Sequence, residues 1–217
     1  MTHAVTRALA AGLRKYPENN VFLRGNRLYQ RDDVDLFVLV AMPNDGHSGR
    51  ADLSGSVIRK ADTKRIEDIA GEVRDKAASV RARRDGKMAG TRSLLHKLPN
   101  TAVRWAMAAL DFVQYDLNLT VPGSPRDPFG SAMVSSVGML GICRGFAPIV
   151  TFNRCPIILL VGQVEERAVV CDGQIVARPM CCLCATFDHR ILDGYQAGCI
   201  SKIVRKCIET PELLDAD

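Results

Sequence analysis

An α/β domain is what this sequence predicts, on three observations. Apolar residues recur at helical spacing over residues 2–16, at Ile66, Ile69, Ala70, Val73, Ala77 and Val80, and at Ile200, Ile203, Val204, Cys207 and Ile208. Between those segments lie short apolar runs of strand type, Val34 to Met42, Ile157 to Val161 and Val169 to Val176. The third observation is size: 217 residues, 47% hydrophobic and 24% charged, suit one globular domain with a single substantial core.

Taken in order, the first helix ends ahead of Pro17, which cannot continue it. Val21 to Arg31 reads as a hairpin turned at Gly25-Asn26, followed by the apolar strand from Val34 to Met42. Residues 43–55, rich in Gly, Asp and Ser, read as a loop. Asp62 or Thr63 is placed to cap the second helix, whose polar face carries mixed charges of the kind found on solvated surface. From Ala102 to Tyr115 the only charges are Arg104 and Asp111, so a helix there is apolar on nearly all sides and is expected to be buried. It is expected over the mouth of a site, against a neighbouring subunit, or in the chain's own core. Lys97-Leu-Pro-Asn100 breaks the chain ahead of it and Pro122-Gly-Ser-Pro125 makes a stiff return. Asp172-Gly173, between two apolar runs, signals a two-residue hairpin turn.

Composition excludes several classes of function. The net charge of +5 is mild and the basic residues are mixed with acids, so no nucleic-acid partner is expected. No uncharged apolar stretch reaches the roughly eighteen residues of a bilayer span, the start lacks a secretory pattern, and no membrane partner is expected. The cysteines cluster on predicted strands (Cys171, Cys181, Cys182, Cys184) or helix (Cys199, Cys207), where they act as small hydrophobes; a reducing cytoplasm is expected. Strand alternation sends Cys182 and Cys184 to one face and Cys181 to the other, so no metal site is expected there. Nor does any cysteine stand in a nucleophile's pattern.

The most informative stretch is Thr186-Phe-Asp-His-Arg-Ile-Leu-Asp-Gly194. It sets His189 four residues before Asp193-Gly194, at a strand end that turns into a helix. An imidazole there can reach a cleft, yet taken alone a histidine in that place is as compatible with a structural role.

The blocks around it resemble a known family. Ser131-Ala-Met-Val-Ser-Ser-Val-Gly138, Phe146-Ala-Pro-Ile149, Val169 to Met180 and Phe187-Asp-His-Arg-Ile-Leu-Asp-Gly194 follow one another as in the catalytic domain of the dihydrolipoamide acyltransferases of 2-oxoacid dehydrogenase complexes. Leu13-Arg-Lys-Tyr-Pro-Glu-Asn19 fits more loosely. The resemblance implies the fold shared with chloramphenicol acetyltransferase, a two-layer sandwich on a mixed sheet, as one domain over residues 1–217. Against the family pattern the chain is N-terminally shortened, by a strand and a helix, and carries a helical insertion at about residues 91–128. A similar insertion occurs in stand-alone relatives without a lipoyl domain, which Gly25 to Arg31 also resembles. Asp75-Lys76-Ala77 repeats the lipoyl attachment tripeptide, but in mid-helix rather than at a hairpin tip.

What the resemblance implies chemically is acyl transfer between coenzyme A and an acceptor thiol, hydroxyl or amine. An unperturbed thiol titrates near ~8.5 and free imidazole near ~6.5, so a positioned neutral imidazole can take the thiol proton as attack proceeds. The resemblance assigns that base role to His189 and oxyanion stabilisation to Ser135, with Ser136 as fallback. The resemblance gives Asp193 the part of the family's aspartate, which fixes the turn and its local charges. In the family the serine comes from a neighbouring protomer of a trimer. The expected partners are an acyl-coenzyme A, further copies of the chain, and a dehydrogenase complex; no redox or metal cofactor is implied. The acceptor stays open, because Asp52-Leu-Ser-Gly-Ser-Val-Ile58 replaces the family's Gly-Leu-rich segment. Two other readings compete: a non-catalytic relative kept for assembly or binding, and a coenzyme A-binding regulatory protein.

Overall fold

A computed structural model describes residues 1–41, 53–81, 99–117, 119, 121, 127–149 and 154–214. Helix α1 (Thr2–Lys15) opens the chain and places Val5, Leu9 and Leu13 along one inward stripe, with Arg14 and Lys15 in its last turn, where cations suit the helix dipole. Strands β1 (Val21–Arg24) and β2 (Arg27–Gln30) form a separate two-stranded ribbon, turned through Gly25 at φ +58°. Strands β3 (Leu36–Ala41), β4 (Leu53–Ile58), β5 (Ala132–Ser136), β6 (Ile157–Cys171) and β7 (Gln174–Phe187) make one mixed sheet in the order β4-β3-β5-β6-β7. The central pairs β3–β5 and β5–β6 run parallel; the outer pairs β3–β4 and β6–β7 run antiparallel.

Helices α1, α2 (Ile66–Arg81) and the C-terminal helix α4 (Gly194–Glu209) pack on one face of this sheet. The main core lies between the two layers: Val5, Leu9 and Leu13 of α1, Ile69 of α2 and Ile200 and Val204 of α4 meet Leu36, Val38, Val134, Leu159 and Val161. On the other face, Met133, Ile158, Leu160 and Cys184 form a second apolar cluster with Phe37, Leu39 and Cys182, to which no described helix contributes. The α/β, two-layer expectation holds.

Two local readings are corrected. Residues 43–55 do not all form a loop: β4 begins at Leu53 and pairs along the whole of β3. Its Ser and Gly content hid a strand that needs a glycine, because a Cβ at Gly55 would lie 2.4 Å from the Phe37 ring. Residues 42–52 lie outside the described residues. Neither Asp62 nor Thr63 caps α2. Asp68 reaches back to the Arg65 amide (3.3 Å), while Thr63 Oγ1 donates to the Lys60 carbonyl. Lys76 of the tripeptide donates to the Val57 carbonyl and pairs with Glu72 in mid-helix.

The insertion carries helix α3 (Asn100–Asp111), continued by a π-helical turn at Phe112–Asp116. Of the three places expected for it, the chain's own core is excluded: Trp105 is 78% exposed and Phe112 54%. Among the described residues, the anchors of the segment lie at its far end. Tyr115 packs edge-on against Phe22 at 5.8 Å, the Arg154 guanidinium lies 4.2 Å over the Tyr115 ring, and Asp111 pairs with Arg154. Polar and aromatic anchors, not an apolar seam, hold it to the β1–β2 ribbon. The Pro122-Gly-Ser-Pro125 return lies outside the described residues.

Candidate active site

His189 sits where β7 gives way to α4, and three features fix its turn. Asp188 donates its amide to the Pro156 carbonyl (2.9 Å), which ties the turn to the start of β6. The Asp188 carboxylate takes three bonds from the Arg190 guanidinium (2.6, 2.9 and 3.2 Å) and one from the Arg190 amide (3.1 Å). Leu192, 1% exposed, plugs into the main core. His189 itself stands exposed on this braced turn. Beside it Asp188, Arg190, Ile191, Arg154 and Cys155 line a cavity of about 160 Å³.

The hydrogen bond from Arg190 holds the Asp188 carboxyl below its ordinary value of 3.8. A depressed carboxylate contributes stability that is complete above the unfolded value and is lost as pH falls through the folded one. Acid unfolding of the parent and of Asp188→Asn is therefore expected to differ at pH 5 and to converge below about pH 4. Convergence at a higher pH would show that the pair does not form.

Asp193 is the N-cap of α4. Its carboxylate accepts from the Gln196 amide (2.8 Å), and the Gln196 side chain accepts from the Asp193 amide (2.9 Å). This reciprocal capping box was legible as Asp193-Gly-Tyr-Gln196, a signal the motif reading passed over. Asp193→Ala is expected to cost about 1 kcal/mol through the lost cap, and Asp193→Ser to recover most of it. Equal unfolding midpoints for the two variants would contradict the capping role.

Ser135 lies on β5 and is 8% exposed, with its side chain on the sheet face away from the helices, alternating with Val134, which points into the main core. The same alternation turns Ser136 towards the helix layer. Ser135 pairs with Leu160 and Leu160 with Cys184, so the three stand in one cross-strand row. Phe187 pairs with Ile157, three residues back along β6, at the opposite end of the paired segment. With strand spacing of ~4.8 Å and a rise of ~3.3 Å per residue, the Ser135 and Phe187 backbones stand roughly 14 Å apart, and His189 lies further out. Within one chain the structure does not bring Ser135 to His189. The loop after Ser135 is pinned by close backbone approach: a Cβ at Gly138 would lie 2.5 Å from the Gly162 carbonyl oxygen.

A second and larger cleft, about 720 Å³, opens between the β1–β2 ribbon and the insertion. Phe22, Tyr29, Arg31, Tyr115 and Asp127 line it. The sequence reading gave these residues no part. The Arg31–Asp127 pair (2.6 Å) at its floor links segments far apart in sequence.

This fold and this braced histidine turn define a class. The chain belongs to the 2-oxoacid dehydrogenase acyltransferase (catalytic domain) family, whose profile it matches over residues 1–89 and 129–215. The unmatched middle is the insertion. It is 28% identical, over 95% of its length, to the mitochondrial dihydrolipoyllysine-residue succinyltransferase component of the 2-oxoglutarate dehydrogenase complex of Saccharomyces cerevisiae, and spans 35% of that protein. Among solved structures it superimposes on the cubic core of the pyruvate dehydrogenase multienzyme complex with a TM-score of 0.66 at 19% identity, covering 98% of this chain and 69% of that one. It also matches the Azotobacter vinelandii dihydrolipoamide acetyltransferase, studied for the role of a serine, a histidine and an asparagine in its catalytic mechanism. There the TM-score is 0.65 at 20% identity, with 98% and 69% of the two chains covered.

Proposed function

We propose that this chain is an acyltransferase domain that moves an acyl group between coenzyme A and an acceptor, with His189 as general base and Ser135 of a neighbouring copy as oxyanion donor. The observation that carries the reading is the separation of the two residues. Ser135 lies on the sheet face away from the helices and His189 stands beyond the far end of β7, so a site that uses both has to be built from two protomers. The names of the relatives describe acyl transfer, and in the Azotobacter enzyme the asparagine follows the histidine at the spacing of Asp193 from His189. One further surface supports a homo-oligomer; the apolar cluster around Met133 and Leu160 is not a second, because Phe129, Val137, Ala147 and Ile149 cover it within the chain. Beyond Val161, β6 and β7 run on as a bare two-stranded ribbon exposing Val170 (71%) and Ile175 (78%). A two-stranded ribbon with apolar residues in water is marginal by itself. A trimer accounts for this ribbon, and association with a dehydrogenase complex follows from the same kinship.

In this reading the acceptor thiol gives its proton to the neutral His189 imidazole as its sulfur attacks the thioester carbonyl. The Ser135 hydroxyl donates to the oxygen that becomes negative. When the tetrahedral intermediate collapses, the coenzyme A thiolate leaves and takes the proton back from the imidazolium. One oxyanion donor contributes about 3–4 kcal/mol, so Ser135→Ala is expected to lower kcat by 10²–10³-fold with little change in KM.

The test is thiol release from a panel of acyl-coenzyme A donors, with and without dihydrolipoamide. Release that requires an acceptor and disappears in His189→Ala supports the proposal. A correctly assembled protein that turns over no donor would overturn it in favour of a non-catalytic assembly module.

A further inference from the structure

Cys182 and Cys184 are alternate residues of β7, and their sulfurs stand 3.8 Å apart on the sheet face away from the helices. Neither sulfur belongs to the acyl-transfer chemistry above. Cys184 is 7% exposed and closes the row that runs through Leu160 to Ser135; Cys182 is half-buried and nearer solvent. The remaining thiols are differently placed. Cys181 points to the opposite face and its thiol lies against the Gly162 carbonyl; Cys155 is 3% exposed and its thiol lies against the Ile157 carbonyl. Cys143 lies against the Glu165 carboxylate. Among the eight free cysteines, Cys182 and Cys184 are the two whose sulfurs meet.

We propose that Cys182 and Cys184 form a reversible redox dithiol, closed to a disulfide by exchange with a small-molecule disulfide, and that closure suppresses acyl transfer. The second half rests on the acyltransferase reading; the first does not. The exchange is balanced within the named reactants. The Cys182 thiolate attacks one sulfur of the small disulfide, forming a mixed disulfide and releasing one thiol. The Cys184 thiolate then attacks the Cys182 sulfur and releases the second. The protein loses two protons and two electrons, and one small disulfide becomes two thiols.

Geometry makes the closed form a perturbation. Alternate residues of an extended strand have Cα atoms roughly 6.6–6.8 Å apart, at the upper limit for a disulfide, and the sulfurs must approach from 3.8 Å to ~2.05 Å. β7 has to pucker at Leu183, whose partner on β6 is Val161. The pucker acts in two directions. Leu160, paired to Cys184, carries Ser135 on its other side; along the strand, β7 leads directly to Phe187 and the His189 turn. A disulfide closed at the edge of its permitted geometry is also easily reduced, which makes the change reversible.

The test uses the whole protein in oxidised glutathione, with thiols counted by alkylation and peptide mass, and acyl transfer assayed in parallel. The expected result is loss of two of the eight thiols, a Cys182–Cys184 linked peptide, and no retained glutathione. Cys184→Ser should trap glutathione on residue 182, and Cys182→Ser should leave Cys184 unmodified. Activity should fall about 10²-fold on closure, as a displacement of ~1 Å at a site can cause, and return with dithiothreitol. Eight thiols surviving the treatment, or a stable glutathione adduct on the parent chain, would overturn the dithiol. A linked peptide with unchanged acyl transfer would overturn the control it exerts. A reduced protein that closes the disulfide yet transfers no acyl group would tell against the acyltransferase reading alone.

Discussion

Replacing His189 with alanine is expected to lower acyl transfer by about 10²–10⁴-fold, the usual contribution of a positioned general base. The fold should not register the change. His189 is exposed, and the braces of its turn are the Asp188–Arg190 pair, the Asp188 amide bond to Pro156 and the buried Leu192 side chain, none of which uses the imidazole. Exposed substitutions away from such features usually shift stability by no more than about 0.5 kcal/mol. Turnover measured beside urea unfolding checks both halves. A variant that keeps more than about a tenth of parental turnover contradicts the base role, and one that unfolds early contradicts the account of the turn.

The second large effect is on stability and lies far from the histidine. Asp127→Ala is expected to cost about 3 kcal/mol, at the lower end of what breaking a buried ion pair costs. Arg31 is only 6% exposed. It donates to Asp127 (2.6 Å), to the Val21 carbonyl (2.8 Å) and to the Arg154 carbonyl (3.0 Å), and its guanidinium lies 4.9 Å over the Phe22 ring. One side chain thus joins the β1–β2 ribbon, the end of the insertion and the approach to β6. Removing Asp127 leaves that charge buried without its counter-ion. Removing the charge as well, as Arg31→Met with Asp127→Ala, is expected to recover only part of the loss, since the Val21 and Arg154 carbonyls then lack their donor. Urea midpoints of the two variants check it; a loss under about 1 kcal/mol for Asp127→Ala would show the pair to be idle.

Much of this was legible in the sequence. The pattern over residues 2–16, closed by Pro17, predicts α1, and Asp172-Gly173 predicts the β6–β7 hairpin, where both residues adopt positive φ as a tight turn demands. The motif predicts that His189 stands between a strand and a helix, and it does. The misses have physical causes. β4 is polar and glycine-bearing because a ring of the neighbouring strand occupies the space its Cβ would take, and periodicity cannot report a cross-strand contact. Composition predicts that α3 is covered but cannot choose between its own core and another cover, and the structure excludes the core. The cleft beside Tyr115 depends on residues nearly a hundred positions apart, Arg31 and Asp127, and no local pattern links them. Ser135 was found through its block of neighbours; its distance from His189 belongs to the sheet register.

That distance is the centre of the account, and mixing protomers tests it most directly. His189→Ala and Ser135→Ala proteins, each inactive, are combined under conditions of subunit exchange, and exchange is verified by native mass spectrometry. If each site takes its histidine from one protomer and its serine from the next, random assortment in a cyclic oligomer restores about a quarter of parental activity. No recovery in verified mixed oligomers, or a protein that is monomeric by light scattering yet fully active, would contradict it.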